Sequence, residues 1–254
     1  AGIRAWTTDL ISGRHPCFSP ESFTIVEDRS SSAIISSLAL ISQTWTYDGI
    51  EFDVGSIDLV ATHPEYRGRG LVRVQMALAH GWSAERGEIL QAVGGGFPFY
   101  RQFGYETAVE WLGGWAGDRS DEPVSTTAEA EPVRLRPATR EDLSYVSEVY
   151  SQGMERYLVS CARDETMWCY ELDGRSDREH HRVAFRIILS PEGEAVGLLL
   201  HWPGLIGGEM KVRAFELSED VSWSSVTPSV LRYLRSAGEQ VAGSEPWSGV
   251  ISLM

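Results

Sequence analysis

Lysine is almost absent from this chain. Lys211 is the single lysine among 22 lysine and arginine residues, against 36 aspartate and glutamate residues, and the formal net charge is −14. Phosphate-backbone binding needs a basic surface, so this balance excludes nucleic acid as the main partner. Acidity fits a cationic small-molecule or peptide partner, and it equally fits plain solubility. Cysteine is scarce too. Cys17, Cys161 and Cys169 are odd in number and have no CxxC spacing, which argues against a disulfide framework and against a zinc site. No metal is expected, and free thiols in a reducing cytoplasm are the default. Long apolar runs are missing: the best stretch, Ala33 to Ile41, is broken by Ser36 and Ser37 and falls short of the ~18 residues of a membrane span. The opening Ala1-Gly2-Ile3-Arg4 has neither a signal-peptide core nor a transit-peptide pattern. A cytoplasmic location without membrane association is therefore expected.

What remains is a globular composition, 43% hydrophobic and 23% charged over 254 residues, long enough for two domains. The segment from Asp118 to Pro132 has almost no large apolar residue and is rich in Ser, Thr, Glu and Pro, so it reads as a linker. It sets a first domain at 1–117, a linker at 118–132 and a second domain at 133–254.

In the first segment, Phe23 to Glu27 and Ile34 to Ile41 have strand composition, and alternation on both sides of Asp48-Gly49 predicts a hairpin. A strand from Val54 to Thr62 follows. Apolar positions 71, 74, 77, 78 and 82 give a helical period over Leu71 to Arg86. Ile89 to Val93 reads as a strand, Phe97 to Phe103 as a short helix, and Gly104 to Trp111 as a closing strand. The second segment opens with a strand at Val133 to Arg136 and a capping-box variant at Thr139 to Asp142, then a helix through Leu143, Val146, Val149 and Tyr150. Strands at Val183 to Leu189, Ala195 to Trp202 and Glu209 to Leu217 precede a helix over Pro228 to Gln240. The mixed order argues for layered α/β or α+β domains. The first segment reads as lacking the opening strand and helix that begin the second, and the last residues, 249–254, read as the start of a further strand. Both ends are therefore expected to be cut relative to the complete protein.

The stretch that carries chemistry runs from Val60 through Ala61, Thr62, His63, Pro64, Glu65 and Tyr66 to Arg67-Gly68-Arg69-Gly70-Leu71-Val72-Arg73. A strand ends at a proline, and a loop with two glycines leads straight into an amphipathic helix. Free N–H groups at the helix start form an anion site, reinforced by the helix dipole. Arg67, Arg69 and Arg73 set three cations beside it, which suits a pyrophosphate. It is neither a Walker loop nor a GxGxxG fingerprint, and an exposed Arg/Gly turn is the alternative.

Here the sequence resembles the GNAT superfamily of acyl-CoA-dependent N-acyltransferases, whose pyrophosphate loop Q/R-x-x-G-x-G/A is matched by Arg67, Gly70 and, with a larger residue at the last place, Val72. It is similar in particular to the tandem-domain, enhanced-intracellular-survival type of aminoglycoside acetyltransferases and their bacterial relatives. That group shares the aliphatic residue followed by arginine, and a tyrosine three residues before F-G-Y, present as Tyr100 before Phe103-Gly104-Tyr105. The likeness covers roughly residues 10–117; the second half resembles the group's degenerate second domain only in architecture. The resemblance implies tandem GNAT-like domains, each a mixed, mostly antiparallel sheet flanked by helices. Acetyl-CoA would pair its pantetheine with the main chain of Val60, Ala61 and Thr62 and rest its pyrophosphate on the N–H groups from Gly68 through Gly70, Leu71 and Val72 to Arg73. Gly94, Gly95 and Gly96 would line the other wall. Tyr100 matches the family's general acid, protonating the departing thiolate, and an ordinary packed tyrosine is the alternative; Tyr105 is read as structural. The base in that group is the terminal carboxylate of a third domain, so it has no counterpart here. Asp58 on the preceding strand and Glu106 after F-G-Y are possible substitutes for that base, a solvated carboxylate is the alternative for each, and neither is assigned.

Other features stay open or fall to simpler readings. His180-His181 lies in a charged stretch without ligand spacing and reads as a loop pair. His63 reads as a structural residue at a strand boundary. Trp6, Trp45 and Trp111 either line an amine pocket by cation–π contact or pack the core. The second half has no R-x-x-G-x loop and is expected to bind no CoA, instead packing on the first domain or shaping the acceptor pocket. The function expected is transfer of an acetyl group to a primary amine by direct attack. Acylation of a protein N-terminus or lysine, a non-catalytic acyl-CoA-binding regulatory or scaffold module, and assembly with further copies of the chain are left open.

Overall fold

The computed structural model describes residues 2–95, 97–109, 115–117, 132–243 and 247–253. In chain order the elements are α1 (Gly2–Ile11), β1 (Phe23–Asp28), β2 (Ala33–Tyr47), β3 (Ile50–Thr62), α2 (Leu71–Glu85), β4 (Leu90–Val93), α3 (Phe97–Tyr100), β5 (Trp115–Gly117), β6 (Arg134–Pro137), α4 (Leu143–Met154), β7 (Val159–Cys161), α5 (Glu165–Cys169), β8 (Ala184–Leu189), β9 (Ala195–His201), β10 (Met210–Leu217), α6 (Trp223–Ala242) and β11 (Ile251–Leu253). They form two mixed sheets with helices packed on them, the layered α/β class that the sequence implies. No helix among the described residues is long and apolar enough to cross a membrane.

Contacts divide the chain into one unit of Ala1–Glu110 with Tyr157–Tyr170 and another of Trp111–Arg156 with Glu171–Met254. This differs from a division in chain order at 117 and 133. β5 pairs antiparallel with β11 in the second sheet, and β7 pairs antiparallel with β2 in the first. Such pairing is made by main-chain groups distant in sequence and leaves no trace in local composition. The linker expected at 118–132 lies outside the described residues except for Pro132.

In the first unit the strand order is β1-β2-β3-β4, with β7 also on β2. Asp48 and Gly49 have φ of 49° and 76°, the two positive values that a tight two-residue hairpin turn requires. Long β2 is buried on both faces: Leu38 and Leu40 pack with Ile57, Met76 and Ala79 beneath α2, while Ala39 and Ile41 pack with Trp6, Leu10, Phe18 and Tyr170 on the other side. The period-2 alternation of a strand sends neighbours to opposite faces, which is why one apolar run serves two cores. Helix α2 buries Gln75, Met76, Ala79 and Ser83, whereas Val74 is 72% and Leu78 47% exposed. The buried stripe is thus rotated from the apolar positions in the sequence. Small residues let the helix approach closely: a Cβ added to Gly55 on β3 would come within 2.9 Å of Ser83 Oγ.

The strand expected from Gly104 to Trp111 does not form over residues 105–109; residues 110 and 111 lie outside the described set. Tyr105 instead donates from its hydroxyl to Gln91 Oε1 at 2.7 Å and meets His80 Nε2 at 3.2 Å. Trp6 to Leu10, given no element in the sequence reading, belongs to helix α1.

The second sheet runs β5-β11-β10-β9-β8-β6. Its core gathers Ile188, Leu199, Met210 and Val212 from the strands with Val226, Val230 and Leu234 from α6. The Thr139–Asp142 capping box is formed. Helix α6 begins at Trp223, five residues before the proline expected to open it, and carries Pro228 inside.

Candidate active site

The site is built where β3 leaves β4. The two strands pair in parallel from Val54↔Leu90 to Ile57↔Val93, and β3 then continues through Thr62. Its other edge stays on β2, but the register shifts between Ser37 and Ala39, and Leu59 takes a φ of +51°. A leucine in that left-handed region is uncommon and marks a bulge. Beyond it Val60, Ala61 and Thr62 face the opening gap with main-chain groups that have no partner strand on the β4 side. These are the three residues expected to pair with a pantetheine.

The strand ends in a short 3-10 turn, Pro64–Tyr66. Gly68 and Gly70 then take φ of +73° and +76°, and a Cβ at either would meet nothing within 4 Å. Their glycine character therefore serves backbone shape and an open approach, not local crowding. Gly70 is the N-cap of α2, and the first intrahelical bond there is Val74 N–H to Gly70 O at 3.3 Å. The N–H groups of Leu71, Val72 and Arg73 are accordingly the orphan donors of the helix start, aimed away from the helix body.

The three arginines are placed differently from one another. Arg67 Nε donates to Thr62 O at 3.3 Å, folding back on the strand end. Arg69 Nη2 donates to Glu65 O at 3.1 Å and its guanidinium lies 4.7 Å from the Tyr66 ring centre. Tyr66 in turn donates to Asp28 in a short hydrogen bond. That bond, foremost among several, holds the Asp28 carboxyl down to a pKa of about 2. Arg73 reaches the other way, donating to Gln102 Oε1 at 2.8 Å and covering the Phe103 ring. It links the glycine loop to the segment that carries Tyr100.

Tyr100 ends α3 and is 9% exposed, edge-on to Phe99 and Tyr105. Burial pushes its phenol above the ordinary pKa, and the Asp58 carboxylate adds in the same direction. Both causes favour the protonated hydroxyl at neutral pH. Gly95, two residues past the end of β4, has a φ of +74° and is exposed; Gly96 lies outside the described residues. Glu106 is tied to Arg101 at 3.0 Å on the surface.

Sequence reasoning missed the pin that holds α2 in place. Gln75, 3% exposed, donates to Thr24 Oγ1 at 2.7 Å and accepts from Ser36 Oγ at 2.6 Å. Ser36 Oγ also lies 2.9 Å from Ala61 O and 3.0 Å from Thr62 Oγ1. The helix start and the strand end thus share one buried polar cluster, and that fixes the N–H groups of the helix start relative to the strand edge. A polar residue on the helix face beside Met76 and Ala79 was the one available signal.

Residues 6–108 match the Acetyltransferase (GNAT) domain. No curated protein matches the chain. Among solved structures the chain is similar to a GCN5-related N-acetyltransferase from Kribbella flavida, with 16% identity and a TM-score of 0.62 over 100% of this chain and 57% of that one. It is similar to a conserved protein of unknown function from Enterococcus faecalis, a probable N-acyltransferase, at 18% identity, TM-score 0.57, covering 87% of this chain and 52% of that one. The N-myristoyltransferase of Saccharomyces cerevisiae with bound myristoyl-CoA aligns at 9% identity and a TM-score of 0.60, over 96% and 63% of the two chains. The chain therefore spans between half and two thirds of the length of these structures. At such identities the likeness establishes the fold. The GNAT match encloses the splayed strand, the glycine loop, α2 and the Tyr100 segment, all within residues 6–108.

Among the other candidates, Glu179, His180 and His181 place one possible ligand atom each within 4.8 Å. One Glu179 oxygen pairs with Arg175 at 2.7 Å, and the other accepts the His181 N–H at 2.8 Å. Burial, foremost, takes the His181 imidazole down to a pKa of about 3, so a buried ion-pair network already accounts for this loop pair.

Proposed function

We propose that the first unit transfers an acetyl group from acetyl-CoA to a primary amine. The observation that carries this reading is the divergence of β3 from β4 after Ile57, with the freed edge at Val60–Thr62 running into the glycine loop at the start of α2. Those residues fit an acyl-CoA. An extended pantetheine finds main-chain partners on a bulged strand, and a pyrophosphate finds the N–H groups of Leu71, Val72 and Arg73, flanked by the guanidinium groups of Arg67 and Arg69.

Acetyl-CoA supplies the thioester. The chain's own residues do the rest. Beyond the bulge at Leu59 the main chain of Val60–Thr62 has no partner strand on the β4 side, and an N–H group there can polarise the thioester carbonyl. The amine nitrogen attacks that carbon directly, the carbon–sulfur bond breaks, and Tyr100 gives its hydroxyl proton to the leaving sulfur. The tyrosinate recovers a proton released by the amine. No nucleophilic cysteine or serine is needed, and acceptor and donor are held side by side so that attack is effectively unimolecular.

Tyr100→Phe tests this. Loss of the acid should lower kcat by about 10²–10⁴-fold, the usual span for a positioned proton donor, while acetyl-CoA affinity by calorimetry stays within about twofold. Binding of acetyl-CoA without thiol release across a panel of amines would instead make the unit a non-catalytic acyl-CoA-binding module. Absence of acetyl-CoA binding would refute both.

A further inference from the structure

Asp58 sits where the bulge, the divergence of the strands and the α1 side of the sheet meet. It follows Ile57, the last residue of β3 paired with β4, and precedes Leu59 with its φ of +51°. Ile57 packs beneath α2 with Leu38, Leu40, Met76 and Ala79, so strand alternation sends Asp58 to the opposite face. Trp6, Leu10, Ala39 and Ile41 cluster on that face, with Leu59 against them.

There the carboxylate is oriented by two neutral donors. Oδ2 accepts the Trp6 indole N–H at 3.2 Å, and Oδ1 accepts the main-chain N–H of Leu59 at 2.6 Å. Trp6 is 4% exposed, so its grip comes from inside the core. A carboxylate offers about four lone-pair directions, so each oxygen keeps one. Among the described residues no arginine, lysine or histidine forms an ion pair with Asp58. Its charge is held in place, uncompensated, and felt by the Tyr100 phenol.

A half-buried carboxylate at the thioester end of the cleft has one natural complement. We propose that Asp58 receives the ammonium group of the acceptor and makes the site selective for protonated primary amines over uncharged nucleophiles. This rests on the acyl-transfer reading above. The ammonium exchanges its solvation for the two free lone pairs of Asp58 and releases one proton to water. Its nitrogen then forms the C–N bond as the C–S bond breaks, with Tyr100 protonating sulfur. Charge-assisted hydrogen bonds of this kind are shorter and stronger than neutral ones, and the fixed orientation points the nitrogen lone pair, once freed, at the bulge.

The test compares two nucleophiles on the purified chain: propylamine, charged at neutral pH, and hydroxylamine, which is largely uncharged there. For Asp58→Asn, kcat/KM for propylamine should fall about 10- to 100-fold, the worth of one charge-assisted bond. The value for hydroxylamine should change by less than about threefold, and acetyl-CoA affinity likewise. Asp58→Glu should restore part of the propylamine rate. Equal losses with both nucleophiles, or no loss with propylamine, would overturn the assignment. Should Asp58→Asn fail to fold, the wild-type protein carries the same test through inhibition. Guanidinium, a charged and non-nucleophilic N–H donor, should compete with propylamine while its uncharged isostere urea does not; equal inhibition by both, or by neither, overturns it. A wild-type protein that releases no thiol with any nucleophile refutes the acyl-transfer reading itself, and this proposal with it, before any variant is made.

Discussion

Gly70→Ala separates the two jobs that the loop glycine performs, shaping the backbone and leaving room for a ligand. Gly70 has a φ of +76° and nothing within 4 Å of an added Cβ, so the methyl group clashes with no protein atom. The cost to the empty protein is backbone strain alone, about 1–2 kcal/mol for a non-glycine residue in the left-handed region. Gly49, in the β2–β3 hairpin turn, has the same φ of +76° and the same empty surroundings. Gly49→Ala is therefore a matched control with equal strain and no place in the anion site. Both variants should unfold with losses of about 1–2 kcal/mol in denaturant. Only Gly70→Ala should weaken coenzyme A binding, because it adds a methyl group to the open approach at the N-cap of α2. A weakening of about tenfold or more, or about 1.4 kcal/mol beyond the strain, is expected by calorimetry. Equal coenzyme A affinity in the two variants would refute the placement of the pyrophosphate on this loop.

In the second unit, a Cβ at Gly153 would run into the Glu216 carboxyl, which is 3% exposed and paired with Arg156. Gly153→Ala should displace the Glu216 side chain and cost about 1–3 kcal/mol, the usual range for overpacking a filled site, and an unfolding free energy lowered by less than about 0.5 kcal/mol would refute it. Asp142 accepts two bonds from Arg136 at 2.7 Å and closes the capping box, and the Arg136 bond chiefly holds its carboxyl down to about 2. Because the folded value lies below the unfolded one of about 3.9, this stabilisation is complete above that pH and is lost as pH falls toward 2. Asp142→Asn should flatten the acid limb of a stability-versus-pH curve between about 4 and 2; an unchanged slope would count against the pairing.

The hairpin, α2, the glycine loop and the Tyr100 segment were legible because each is dictated by residues close in sequence. Asp48-Gly49 fixes a turn through two adjacent φ values, and Gly68 and Gly70 announce their own backbone freedom. What was not legible depends on distant partners. The positive φ of Leu59 is imposed by the register slip against β2, and nothing about a leucine signals it. The Trp6–Asp58 bond spans 52 positions, so the sequence singled out Asp58 without assigning it a role or a partner. The rotation of α2 about its axis followed from Gln75, whose hydrogen bonds to Thr24 and Ser36 outweigh the pull of exposed Val74 and Leu78. The same limit hid the return of β7 to the first sheet and the pairing of β5 with β11.

The two units pose the same topological problem and answer it with opposite charge. In each, a strand runs through a helix into a parallel neighbour: β3 through α2 to β4, and β10 through α6 to β11. In the first, β3 continues past the last residue paired with β4, to Thr62. The connection in the first unit holds Arg67, Gly68, Arg69 and Gly70. In the second, Ser218-Glu219-Asp220-Val221-Ser222 leads into α6 with no glycine and two carboxylates, Asp220 taking a φ of +66°. Carboxylates beside a helix N-terminus already satisfy its positive end and repel a phosphate. The crossover alone therefore does not set the charge at the helix start; the residues between strand and helix do. In a chain of net charge −14, placing arginines at 67, 69 and 73 counters the overall repulsion at one helix start, while the other keeps the acidity that the rest of the molecule shares.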